Sequence, residues 1–449
     1  MFFPGSLLEA TEFARRAGRD AHRPGGGPWT DGDGHNPGRR IPRWCRRPGV
    51  ELRRLCRRYD AGSGAGAELH ARESIRMKIT GVDIWTVVVP TIPGRVHSPE
   101  YVPETGWDKV PKHILRVSTD TELIGVGETG RGVPLEQVQQ GARLLLGCDP
   151  EVLCLRDIFA VPLDRELAGA ELSADVGTGP AYHAFEMAIL DLVGKGRQQP
   201  VHALLGGAVR TRVRADYWMG HQTPEDGKRS VERALEHGFH GVKIKCRLEE
   251  PMEERLRAMR DVGGVDFKVT VDPNERFHTA EQAIELAHRL MALGNVEVFE
   301  DPIPKSDIEG WIRIHEEVEA PVAMHLGSGA KILQALQAGC VDCFNLGSGP
   351  VAMPDLAHIA AAAAMPCWHG SGNDLGIIDT SYIHAAALAP NCTMASDFVG
   401  SWTREDDLIV EPIEFVDGQV ATPQKPGLGC DLDLDALQRY TQAHEEIHE

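Results

Sequence analysis

Three short runs of β-type residues each end on charged side chains: Gly241-Val-Lys-Ile-Lys-Cys246, Phe267-Lys-Val-Thr-Val-Asp-Pro-Asn274 and Val296-Glu-Val-Phe-Glu-Asp-Pro302. Between them lie two apolar-periodic stretches, Pro251 to Val262 and Thr279 to Leu293, each long enough for a helix of about three turns. The order is β-α-β-α-β. Right-handed crossovers make such strands parallel and leave their C-terminal ends on one face, where Lys243, Lys245, Asp272 and Glu300 converge. Two amines facing two carboxylates make a site.

The elements that position these residues continue on both sides. Strand-like runs recur at Arg214 to Met219, Pro321 to Leu326, Cys340 to Leu346, Met365 to His369 and Cys392 to Asp397, with helical periodicity between them. The helices fall at Glu225 to Glu236, Ile308 to Val318, Ala330 to Ala338, Met353 to Ala364 and Ile378 to Ala389. Eight such units predict an α/β fold, a (β/α)8-type or modified TIM barrel. Before it, strands at Lys78 to Val89, His113 to Val117 and Glu122 to Gly127 are followed by helices at Leu135 to Leu146, Leu153 to Val161 and Ala181 to Val193. These predict an N-terminal α+β capping domain over residues 77–205, a catalytic barrel over 206–400 and a C-terminal segment, 401–449, returning to the cap. The stretch from Pro90 to Lys109, carrying Arg95, His97, Tyr101 and Trp107, is expected to be a mobile lid.

Residues 1–76 differ in kind, with 15 Arg, no Lys and 9 acidic residues, and Gly/Pro clusters such as Arg23-Pro-Gly-Gly-Gly-Pro28. Such a composition buries little core and predicts a disordered extension, for which a non-native origin with Met77 as the functional start is the preferred reading. The chain as a whole carries a formal charge of -19, which argues against general nucleic-acid binding. It has no apolar run of about 18 residues, so no membrane span is expected. Ten scattered cysteines fit a reducing, cytoplasmic setting better than a disulfide framework. A homo-oligomer is expected.

Read together, several stretches resemble the enolase superfamily, in its mandelate racemase and muconate lactonizing branch. Lys243-Ile-Lys245 is similar to that family's K-x-K base motif, and Val271-Asp-Pro-Asn274 and Phe299-Glu-Asp-Pro302 to its metal motifs. Ala184-Phe-Glu-Met-Ala-Ile-Leu-Asp-Leu192, Gln199-Pro-Val-His-Ala-Leu-Leu-Gly-Gly207 and Pro426-Gly-Leu-Gly429 resemble its hinge and closing segments. The resemblance implies a divalent metal, Mg by preference with Mn or another transition metal as the alternative. It also implies abstraction of a proton α to the carboxylate of a small substrate. On that reading Lys245 is the base, Lys243 assists by charge, and Asp272 and Glu300 ligate the metal.

The sequence departs from the family at three strand ends. Where a third carboxylate ligand is usual, Pro321-Val-Ala-Met-His-Leu326 offers His325 or Leu326, and an imidazole suits transition metals better than Mg. His325 is the candidate ligand, with an orienting or substrate-contacting role as its alternative. Where a second base is usual, Phe344-Asn-Leu-Gly-Ser348 presents Gly347. The next strand ends on His369, a candidate acid for a departing hydroxyl. Loss of the second base disfavours racemisation, which needs proton delivery on both faces. Asn274, Asn345, Ser348 and Ser371 are candidate substrate contacts, the serines within a repeated Gly-Ser-Gly at three strand ends.

Three motifs are set aside. Gly125-Val-Gly-Glu-Thr-Gly130 matches a dinucleotide fingerprint but follows a polar-edged hairpin, so a glycine-rich loop beside the site is the better reading. Cys340-Val-Asp-Cys343 enters a strand, where alternation separates the thiols. His444-Glu-Glu-Ile-His448 matches a zinc-protease pattern but is expected to be a fraying helix end. The expected function is dehydration of a hydroxylated (sugar) acid. The alternatives are a cycloisomerase, a racemase or epimerase, and a non-catalytic binding protein on the same fold.

Overall fold

The computed structural model describes residues 77–101, 107–151, 153 and 181–449. The extension expected over 1–76 and nearly all of the helix expected over Leu153 to Val161 lie outside the described residues.

A four-stranded antiparallel sheet is built from β1 (Ile79–Pro90), β2 (Lys109–Thr119), β3 (Ile124–Glu128) and the last strand of the chain, in the order last-β1-β2-β3. Alternation in β1 and β2 makes both faces apolar. Val82, Ile84, Leu115 and Val117 pack with helices α1 (Leu135–Leu145) and α2 (Tyr182–Arg197), whereas Val87, Val89, Val110 and Ile114 pack with Leu375, Ile377 and Leu437. The glycines of the dinucleotide-like fingerprint have a packing role. A Cβ on Gly125 would lie 2.2 Å from the Ala188 carbonyl oxygen, and one on Gly127 2.0 Å from that of Ala184. Strand β3 thus rests directly on the backbone of α2, an approach that only glycine allows.

After the short helix α3 (Val201–Leu204) and strand β4 (Arg212–Arg214), seven parallel strands follow with helices between them. They are β5 (Tyr217–Met219), β6 (Gly241–Lys245), β7 (Lys268–Asp272), β8 (Val296–Glu300), β9 (Val322–His325), β10 (Cys343–Asn345) and β11 (Cys367–Trp368), paired in sequence order. The helices are α4 (Pro224–Glu236), α5 (Met252–Gly263), α6 (Ala280–Met291), α7 (Ile308–Glu317), α8 (Gly329–Ala338), α9 (Met353–Ala362) and α10 (Gly376–Leu388). Thr223, Thr279 and Asp307 cap α4, α6 and α7 by accepting backbone N–H bonds, which explains where those helices begin. The eighth position of the ring is not a full strand. Single parallel bridges from Cys392 to Cys367 and from Ser396 to Ala215 close it. The result is an α/β barrel of the TIM type. No helix among the described residues is long and apolar enough to cross a membrane.

Two expectations about the C-terminus are corrected. Part of the C-terminal segment expected to return to the cap forms a hairpin instead, β12 (Phe415–Val416) and β13 (Gln419–Ala421), turning on Asp417 and Gly418, both at positive φ. It pairs with β4 at the start of the barrel and not with the N-terminal sheet. The return to that sheet is made farther on, after helix α11 (Leu434–Tyr440), by β14 (Thr441–His448). His444 to His448 are therefore in a strand, not a helix end. Strand β1 has an edge that β14 alone covers, and the ladder hydrogen bonds outweigh the weak helical preference of this run.

Gly127→Ala forces β3 away from α2 and is expected to cost about 1–3 kcal/mol, the usual range for overpacking. Thermal unfolding reads this as a lowered Tm, with an unchanged Tm as the contrary result.

Candidate active site

The C-terminal ends of β6, β7 and β8 bring Lys243, Lys245, Asp272 and Glu300 together as strand register requires, with Lys245 directly beside Asp272. Lys243 is buried and its Nζ is the hub: it lies 2.7 and 2.9 Å from the two Glu300 oxygens, 3.1 Å from Asp272 Oδ2 and 3.1 Å from Asp397 Oδ2. Lys245 Nζ donates to Asp272 Oδ2 and keeps some solvent exposure. The two lysines therefore differ in kind. Burial opposes charge on Lys243, yet Asp397, Glu300 and Asp272 together hold its pKa well above the ordinary range, so it is a fixed cation. Lys245 is the amine open to a substrate.

The carboxylates divide likewise. Burial alone would raise Asp272, but Lys245, Lys243 and the Asn274 backbone N–H, 2.9 Å from Oδ1, bring it below the ordinary carboxylate range. Glu300 is pushed up to about 8 by burial and by the negative charge of Asp272, which Lys243 only partly offsets. Asp301 is raised to about 6 by burial and by Asp272, against the pull of Lys305.

His325, at the end of β9, is half-buried. Its ring Nδ1 stands 4.0 Å from Glu300 Oε1, and its backbone N–H donates to Asp301 Oδ1 at 3.0 Å. Burial and the two ammonium groups lower its pKa to about 3, so the imidazole is neutral and can serve as a ligand. Leu326 faces the helix layer, which leaves His325 as the residue at this strand end.

The donor set fits a divalent cation. Glu300, Asp301 and His325 offer ligand atoms within 4.8 Å of one another, and the raised pKa values of both acids reflect a shortage of positive charge beside them. Asp272 stands outside this compact group because Lys243 and Lys245 occupy its Oδ2.

Several candidate residues sit elsewhere than expected. Asn345 is buried and donates to Glu300 Oε1 at 2.7 Å, so its amide orients the carboxylate rather than facing a substrate. Asn274 is half-buried and holds Asp272 through its backbone N–H. The Ser371 hydroxyl donates to the Asp397 carbonyl and accepts the Val399 N–H at 3.0 Å, bracing the loop that carries Asp397. Ser348 is buried, and its carbonyl faces His369 Nε2 at 2.8 Å. His369 itself is enclosed, with Nδ1 2.6 Å from the Gly370 carbonyl and its ring against Tyr382. Burial lowers its pKa. Gly347 leaves an opening: a Cβ there would meet nothing closer than 3.6 Å, where His325 Nε2 and the Gly370 carbonyl stand.

Two residues escaped sequence reasoning. Asp397 ends the eighth strand-like run, on the same face as the other acids, and that position was its signal. Asp301 follows Glu300, so alternation assigns it to the opposite face, but its φ of 42° turns it back toward the site.

A family model described as Enolase C-terminal domain-like matches residues 226–436. The N-succinylamino acid racemase of Thermus thermophilus is 30% identical over 338 residues, covering 71% of this chain and 88% of that protein. The chain belongs to the enolase superfamily, in its mandelate racemase and muconate lactonizing branch. The superfamily fold extends through most of the described residues: the crystal structure of N-succinyl Arg/Lys racemase from Bacillus cereus superposes with a TM-score of 0.70 at 22% identity, covering 83% of this chain and all of that one. A dehydratase is also similar, the arabinonate dehydratase of Saccharolobus solfataricus, at 27% identity over 57% of this chain and 70% of that protein. Among enolase superfamily relatives of this chain are dehydratases, cycloisomerases and racemases, which supports an enzyme of that reaction type.

The raised pKa of Glu300 makes a pH prediction. Without metal, the folded chain holds a proton on Glu300 up to about pH 8, whereas the unfolded chain releases it near the ordinary 4.5. The folded state binds more protons in that window, so this group's contribution to stability falls as pH rises from 4.5 to about 8. The Tm of metal-free protein is expected to decline across the window more than that of Glu300→Gln. Parallel profiles for the two proteins would contradict this.

Proposed function

We propose that this enolase superfamily member removes the proton α to the carboxylate of a small hydroxylated acid of the sugar-acid type and expels the β-hydroxyl as water. One observation carries the reading: the site is one-sided. Lys245 is the open amine on one side, and the strand end where a second base would stand is Gly347. An elimination needs proton abstraction on one face only, whereas racemisation needs a donor on the other.

Lys245 takes the α-proton as its neutral amine, and the C–O bond to the β-hydroxyl breaks as the carbon–carbon double bond forms. The Lys245 ammonium then returns the proton to the departing hydroxyl, which leaves as water on the same face. The enol product tautomerises to a 2-keto acid. His369, the acid expected from sequence, has both ring nitrogens against carbonyl oxygens, so the proposal gives the proton to Lys245. A divalent cation held by Glu300, Asp301 and His325, with Asp272 beside them, would supply Lewis-acid neutralisation of the substrate carboxylate. Mg is the preferred ion, and the imidazole would also admit Mn. Lys243, paired with Asp272, Glu300 and Asp397, keeps the carboxylates in place throughout.

The similarity to arabinonate dehydratase supports a sugar acid as substrate. The similarity to an N-succinylamino acid racemase favours the second reading, an epimerase, in which His325 would have to deliver the opposite proton.

The test is α-deuterium exchange in D2O across a library of sugar acids and N-acylamino acids, with Mg, with Mn and without metal. The expected result is 2-keto acid formed from a sugar acid, dependent on metal, with Lys245→Ala slowed at least about 10³-fold. Exchange with inversion of an N-acylamino acid would replace this reading with the epimerase. Exchange with none of the acids would favour a binding protein.

A further inference from the structure

The run His444-Glu-Glu-Ile-His448 is not absorbed by the active site. As part of β14 its residues alternate in face. Ile447 packs toward the core beneath the sheet, and Glu445 is held by Gln139 Nε2. His444, Glu446 and His448 therefore share the other face. Ladder register sets them opposite Trp85, Asp83 and Gly81 of β1. The zinc-protease reading fails on this geometry, because the glutamate next to His444 points away. A different donor set takes its place.

We propose that Asp83, Glu446 and His448, with His444 alongside, form a second metal site that takes a borderline transition metal of the Zn(II) class and ties the last strand to the first. Ligand atoms of Asp83, Glu446 and His448 all lie within 4.8 Å of one another. His448 Nε2 is 3.6 Å from Glu446 Oε2, and His444 Nε2 is 3.8 Å from Asp83 Oδ1. Asp83, His444 and His448 are placed by features independent of a metal. The buried Asp83 gives its Oδ2 to Arg116 at 2.8 Å, which leaves Oδ1 turned toward the histidines. His444 lies flat on Trp85, with ring centroids 4.5 Å apart and planes 8° from parallel. His448 needs the absence of a side chain opposite it: a Cβ on Gly81 would come within 2.3 Å of its Nδ1. Mixed imidazole and carboxylate donors on an open edge suit Zn(II), Ni(II) or Cu(II) rather than Mg. Because Asp83 and the β14 ligands come from opposite ends of the described chain, the full donor set exists in the folded state, and a metal bound here stabilises it.

The experiment is a Zn(II) titration of the full chain, with no added tag, against a chromophoric chelator in saturating Mg. It is run on wild type, His448→Gln, Glu446→Gln and the active-site variant His325→Ala. The wild type is expected to take up one more equivalent of Zn(II) than His448→Gln or Glu446→Gln. His325→Ala should retain that equivalent, and Zn(II) should raise the Tm of wild type more than that of the two β14 variants. Both β14 substitutions lie on an exposed edge, and circular dichroism of the metal-free proteins checks that each is folded. Equal uptake by wild type and both β14 variants would overturn the proposal. So would loss of the additional equivalent in His325→Ala, which would assign it to the barrel.

Discussion

One buried ammonium organises this active site. Three carboxylates, Asp272 and Glu300 from the ends of β7 and β8 and Asp397 from the loop at the eighth position of the ring, converge within hydrogen-bonding distance of Lys243 Nζ. Unpaired, acids this close in a buried site could not all stay ionised. With Lys245 and this lysine beside it, Asp272 stays charged, whereas Glu300, compensated in part, rises to about 8 and keeps a demand for further positive charge. Burial, together with this cation and Lys245, lowers the His325 imidazole and keeps it neutral. The states of Asp272, Glu300 and the neutral imidazole all depend in part on this one cation.

The surroundings hold that cluster by main-chain and amide contacts. Asn345 orients Glu300, the Asn274 N–H orients Asp272, Ser371 braces the loop of Asp397, and Trp368 Nε1 donates to Asp397 Oδ1 at 2.8 Å. A second buried ion cluster joins the N-terminal sheet to the catalytic face. Lys112 of β2 pairs with Asp374 beyond β11 and stands 3.3 Å from Glu128, which accepts the Leu375 and Ile378 N–H groups of the loop and helix there. The segment after β1 is fastened as well: Val96 accepts the Gly220 N–H at 2.8 Å and His97 Nδ1 accepts that of His221 at 2.8 Å.

Much of this was legible in the sequence because parallel strands impose a simple rule. Apolar runs ending on charge place those charges on one face, which was enough to bring Lys243, Lys245, Asp272 and Glu300 together, while His325 came from the resemblance to the family. The rule fails where the backbone leaves the extended region. Asp301 at φ 42° breaks alternation, and nothing local in Glu-Asp-Pro announces it. It also fails where a polar side chain turns inward to serve another residue, as with Asn345, Ser371 and His369, because donor type does not reveal the partner. At the C-terminus a tertiary demand decided the outcome: the open edge of β1 recruits residues 441–448 as a strand, although their spacing also suits a helix.

The division of labour between the two lysines is the central claim, and thermal unfolding of Lys243→Met and Lys245→Met without added metal tests it most directly. Removing Lys243 leaves buried carboxylates uncompensated and is predicted to cost about 3–5 kcal/mol. Lys245→Met removes one partner of Asp272 but leaves Lys243 paired with all three carboxylates, so it should be destabilised less than Lys243→Met while losing α-proton exchange. If Lys245→Met were the more destabilised protein, or Lys243→Met unfolded like wild type, Lys243 would not be the fixed cation on which the site is built.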